Sequence, residues 1–136
     1  QKPIGLVMGI PTLREIFEEK YYNKLDGGIL EAFGRLFKND LKMYVYPLLE
    51  KEKGELVTVE NLTVSRRLRH LYAHLTANRH IVGIDRYTKD YLTIFSREIL
   101  GKIRKGQTGW EKCLPQKVAQ TIKKKQLFGY KPKPRQ

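Results

Sequence analysis

Apolar positions along the chain change period several times, and each change marks an element. Residues 4–10 (IGLVMGI) form a continuous apolar run punctuated by glycine, which reads as a short buried strand or extended segment ending at Pro11. From Thr12 the period becomes helical: Leu13, Ile16 and Phe17 share a face, and Thr12 with Glu15 makes a capping box, so a helix is predicted over residues 12–22. The turn residues NKLDGG deliver a second helix over residues 28–38, where Ile29, Phe33 and Phe37 recur every four positions beside Leu30 and Leu36. Then the period shortens to two. In LKMYVYPLL, Met43, Val45 and Pro47 alternate with Tyr44 and Tyr46, which predicts a strand that the proline places at an edge or terminates. The charged turn EKEKGE and the run LVTVENL complete a predicted hairpin.

Leu68, Leu71, Tyr72 and Leu75 restore the helical spacing, with Ser65 as the expected cap and Asn78 as the stop. HIVGI reads as a short strand or a turn. Ser96 opens a helix over residues 96–105 that Gly106 closes, and Pro115 starts a last helix over residues 115–126, with Val118, Ala119 and Ile122 on one face. The fold class that follows is α+β: a helix-rich single domain over residues 1–130 with about five helices, two to three short strands in a small sheet or hairpin, and a basic Pro/Lys tail at 131–136. Strand 4–10 has no partner close by in sequence, so its sheet is expected to be completed from elsewhere.

Composition narrows the setting. With 136 residues and 40% hydrophobic content the chain can bury one modest core. A single cysteine, Cys113, makes an internal disulfide impossible, and the longest apolar run is far too short to span a bilayer, so a cytoplasmic protein away from the membrane is expected. Charge is distributed unevenly. Residues 1–64 hold 9 Lys/Arg and 10 Asp/Glu, whereas residues 65–136 hold 18 and 4, so the whole +13 excess lies in the second half. An imbalance of that size points to an acidic partner, although a solubilising face with a basic tail has the same composition.

Candidate chemistry is sparse. His70 and His74 have the spacing of metal ligands on one helix face, but no third ligand lies near them in sequence beyond His80, and Arg66, Arg67 and Arg69 would repel a dication. Cys113 has Lys112 beside it and no base placed in sequence, so packing explains it better than nucleophilic chemistry. Glu15, Glu18 and Glu19 read as a cap and a solvated face, and Tyr21, Tyr22, Tyr44 and Tyr46 as core or rim before base-stacking groups. The chain has no GxxxxGK[ST], no GxGxxG after a strand and no His-x-Gly-His phosphate motif. No catalytic residue, metal site or cofactor is expected.

Basic clusters carry the strongest signal. Lysines at a helix C-terminus complement the macrodipole, which accounts in part for Lys102, Arg104 and Lys105 and for Lys123, Lys124 and Lys125 ahead of Lys131 and Lys133. Arginines at a helix N-terminus oppose it. Arg66, Arg67 and Arg69 are therefore the better candidates for an anionic partner, with Lys123, Lys124, Lys125, Lys131 and Lys133 as further candidates.

At MGIPTLREIFEEKYY, GGILEAFGRLFKNDLKMYVYP, LRHLYAHL, IFSREIL and WEKCLPQKVAQTIKKKQLFGY the sequence resembles, in order over residues 4–130, the C-terminal part of a family of longer bacterial proteins. That family goes by the names nicotinate-nucleotide adenylyltransferase and TonB-dependent-receptor-like. The resemblance implies an interior stretch of a longer protein, with any catalytic centre in the missing N-terminal part. The lysine run 123–125 and the tail beyond Tyr130 depart from the family pattern and are basic. Three readings follow: a non-catalytic accessory or assembly domain whose basic half docks on another chain or on the missing part; a nucleic-acid-binding subunit of a ribonucleoprotein; and one wall of a nucleotide-binding, adenylyltransferase-like enzyme.

Overall fold

The computed structural model describes residues 2–132, so Lys133 of the basic tail lies outside the described residues. The chain is α+β, with five α-helices, a three-stranded parallel sheet and a two-stranded hairpin among the described residues. Contacts divide it into two compact units, Gln1–Tyr87 and Thr88–Gln136, inside the stretch that reads as continuous in sequence.

In the first unit, β1 (Ile4–Gly9) leads into α1 (Ile10–Ile16) and α2 (Gly28–Leu36) before β2 (Leu41–Tyr46). A hairpin of β3 (Leu48–Glu50) and β4 (Glu55–Val57) follows, then α3 (Arg69–Ala77) and β5 (Ile81–Gly83). The sheet order is β1-β2-β5, with both pairings parallel. The strand at residues 4–10 therefore does not need a sheet completed from elsewhere: all six residues of β1 are in register with β2, from Ile4 against Leu41 to Gly9 against Tyr46. Parallel strands are joined by a crossover that carries helices, so a pairing across 30 or more residues has no local signature.

Pro47 ends β2, which is the central strand and not an edge. Its alternation is strict: Leu41, Met43 and Val45 are buried, while Lys42 and Tyr44 are exposed. Helices cover the β2 part of the buried face, while Ile4 and Leu6 of β1 stay 45% and 39% exposed on it. The ring of Phe17, just past α1, meets Phe33 of α2 edge-on at 5.1 Å and Tyr72 of α3 at 5.2 Å. On the opposite face, the register sets Val7 beside Tyr44 and Val82; Val7 is 73% exposed and Tyr44 38%.

Two helix starts differ from the sequence pattern. Helix α1 begins at Ile10 with Pro11 in its first turn and Gly9 as cap, so Thr12 is inside the helix; a proline with preset φ and no N–H starts a helix more readily than the Thr12 box two residues later. It stops at Ile16, and a separate 3-10 turn takes Glu19–Tyr22. Ser65 does not cap α3, because residues 66–68 form a turn in which the Leu68 N–H donates to the Ser65 carbonyl.

The second unit is helical, with α4 (Ser96–Arg104) and α5 (Gln116–Lys125) packed around Ile99, Ile103, Trp110, Ala119 and Ile122. Gly106 closes α4 as its position predicts, at φ 65°, with the Gln107 N–H donating to the Lys102 carbonyl. Phe95 precedes α4 as the cap residue and Pro115 precedes α5, so Ser96 and Gln116 are the first helical residues.

Candidate partner-docking site

The two basic clusters belong to different units, and each is placed by its own local structure. Arg66 and Arg67 are exposed in the turn before α3, and Arg69 is its first residue, also exposed. Only Arg69 therefore lies on the helix itself. Its Nε donates to Nε2 of His70 at 3.0 Å, and the His74 ring lies 3.4 Å from the Asn78 amide. The two histidines are thus engaged locally, and no group of three or more His, Cys, Asp or Glu placed to hold a metal ion occurs among the described residues.

Arg69 lines a groove of about 790 Å³ that the sequence reading did not anticipate. Residues of α3, of the segment 59–64 and of β5 line it, as does a second arginine, Arg79, beyond the C-terminal end of α3. Arg79 takes a left-handed φ of 57°, with its N–H donating to Thr76 and the His80 N–H to Leu75. These two bonds make a Schellman close, a position that glycine fills most easily. No carboxylate pairs with Arg69 or Arg79 among the described residues.

Tyr72 anchors the groove from inside. It is buried, its hydroxyl donates to the Val59 carbonyl at 2.7 Å, and burial followed by the nearby Glu60 carboxylate pushes its phenol up from 10.0 to about 12. A folded-state value above the unfolded one means that the stabilisation is complete below pH 10 and is lost as the pH rises toward 12. Tyr72→Phe should therefore be less stable than wild type by about 1 kcal/mol at neutral pH, because the Val59 carbonyl loses its donor. In thermal melts that gap should close between pH 10 and 12; a gap constant across this range would refute the assignment.

In the second unit the lysines divide. Lys123 has a structural seat: its Nζ lies 2.7 Å from the Glu111 carboxylate and 5.6 Å from the centre of the Trp110 ring. The hydrogen bond from Lys123 holds the Glu111 carboxyl below its ordinary range and raises the Lys123 ammonium. Lys124, Lys125 and Lys131 are exposed and have no ion-pair partner among the described residues. Next to them, Phe128 is 58% exposed at a left-handed φ of 57°. The Cys113 thiol points at the Gly109 carbonyl, 3.9 Å away.

No protein-family model, curated protein or solved structure matches the chain. No helix among the described residues is long and apolar enough to cross a membrane.

Proposed function

We propose that the chain is a non-catalytic accessory or assembly module that docks on a partner chain, its basic residues meeting an acidic surface. One observation carries the reading. A parallel sheet is ordinarily covered on both faces, and here the face bearing Val7, Lys42 and Tyr44 is open to solvent. A partner that covers this face would find cations nearby at Lys42, and elsewhere on the chain at Arg66, Arg67, Lys124 and Lys125.

Affinity capture from native lysate tests it, at low and high salt, with and without nuclease, comparing wild type with Val7→Asp and with the pair Lys124→Glu and Lys125→Glu. Val7 is largely exposed, so its substitution should leave the fold intact. The expected result is a nuclease-resistant protein partner whose recovery drops at least tenfold with Val7→Asp. Recovery that vanishes with nuclease and ignores Val7→Asp would overturn the proposal.

That second outcome belongs to nucleic-acid binding, which has its own support. The second unit holds 13 Lys/Arg against 3 Asp/Glu and sets exposed Phe128 between Lys125 and Lys131, a base-stacking ring among phosphate-binding cations. Its affinity would fall by roughly one log unit per log unit of salt for each phosphate neutralised.

A further inference from the structure

We infer that β1 pairs with β1 of a second copy of this chain, antiparallel about a two-fold axis, so that two sheets join into one. β1 is the end strand of its sheet. The Ile4 N–H donates to the Asp40 carbonyl, so the alternation of a parallel ladder turns the polar groups of Ile4, Leu6 and Met8 toward β2 and those of Gly5 and Val7 outward. Both residues are exposed, and for Gly5, which has no side chain, that exposure is of the backbone itself. Among the described residues nothing is hydrogen-bonded to these outward groups. The devices that guard an edge are missing: the six residues of β1 include no charge and no proline, and their register with β2 runs one to one without a bulge. Apolar side chains are exposed on both of its faces, Ile4 and Leu6 on the helix side and Val7 on the open side. A partner lying on one face meets only one of these sets, whereas a strand laid alongside meets both.

The complement of an uncharged apolar strand is another of the same kind, and this chain exposes one. An axis centred on Leu6 sets Gly5 against Val7 of the second copy and Val7 against its Gly5, so the outward groups of both copies meet as hydrogen-bonded pairs. Leu6 then faces Leu6 and Ile4 faces Met8 on the helix side. On the open side the Tyr44 ring leans over Gly5, within 3.2 Å of where a Cβ would stand, and the bare glycine lets Val7 of the opposite strand pack against that ring. Charge permits the contact: the first unit holds 14 Lys/Arg against 11 Asp/Glu, so most of the excess that would drive copies apart belongs to the second unit. The assembly closes at two, because both β1 edges are used and the sheet ends at β5, where Ile81 is 2% exposed. This pairing uses the edge of β1 and does not rest on the docking reading, which concerns the open face.

Sedimentation equilibrium of the purified full chain, from micromolar to millimolar concentration, tests it. The expected result is a reversible rise from 16.0 kDa to twice that mass, undiminished by high salt, with the Gly5 and Val7 amides gaining protection from hydrogen exchange as the dimer forms. Leu6→Lys sets two like charges face to face and should weaken association at least tenfold, while Leu30→Lys, at a position 65% exposed on α2, should leave it unchanged. Mixing Leu6→Lys with Leu6→Glu should restore the dimer, which also shows that both variants fold. The inference is overturned if the chain stays at 16.0 kDa throughout, if assembly continues past two copies, if Leu6→Lys associates like wild type, or if the mixture stays monomeric. Leu6→Lys leaves Val7, Lys42 and Tyr44 in place, so it should not alter capture of the partner, and either proposal can fail alone.

Discussion

Trp110→Ala should melt the second unit. Trp110 is 1% exposed, the largest side chain in a core whose other buried members are Ile99, Ile103, Ala119 and Ile122. Truncating a buried tryptophan costs about 3–5 kcal/mol in lost transfer energy and residual cavity. Few buried residues remain to offset that loss, because a unit of this size buries a smaller fraction of its surface than a larger domain does. The substitution also removes the ring that packs edge-on against Tyr130 at 6.0 Å and the one over which Lys123 sits, loosening the Lys123–Glu111 pair. Hydrogen exchange reads the result directly: amides of Ile103 and Ile122 should lose their protection. Val118→Ala on the same helix as Ile122, at a position 44% exposed, should change it little. Full protection in Trp110→Ala would mean that the core is not organised around this ring.

Phe17→Ala should have the second large effect, about 3–4 kcal/mol on the first unit. Phe17 is 6% exposed and touches the rings of both Phe33 and Tyr72, so it joins the segment after α1 to α2 and α3 over the buried face of the sheet. Edge-on aromatic pairs contribute beyond their buried area, and two are lost at once. Thermal melting of the full chain should show the loss, while Leu30→Ala, 65% exposed on α2, should fall within about 0.5 kcal/mol of wild type. Equal effects for the two would contradict the packing described.

The candidate site was legible only in its charge. Arginines at 66, 67 and 69 stand out because the sequence pattern sets them at a helix N-terminus, against its dipole; all three are exposed, but only Arg69 is on α3. Arg79 gave no such signal: it follows Asn78, reads as the residue after a helix stop, and enters the groove through a left-handed turn that nothing in its side chain announces. Conversely, Lys123 looks like Lys124 and Lys125 in sequence. Only the packing of α5 brings it to Glu111 and Trp110 and sets it apart.

What the sequence by itself determined is local. The alternation of β2, the charged turn between residues 50 and 55, the buried faces of α2 and α3 and the closure of α4 at Gly106 follow from side-chain periodicity and backbone preference within a few residues, whereas the predicted hairpin keeps only Leu48–Glu50 of its first strand, because β2 pairs with β1 and β5 instead. Tertiary structure decided the rest. The parallel pairing of β1 with β2, the place of β5 at the end of the sheet and the division at Tyr87 depend on contacts between residues tens of positions apart. Such contacts are selected by the burial of whole faces against one another, and hydrophobic burial is non-directional, so no short stretch of sequence encodes which face meets which.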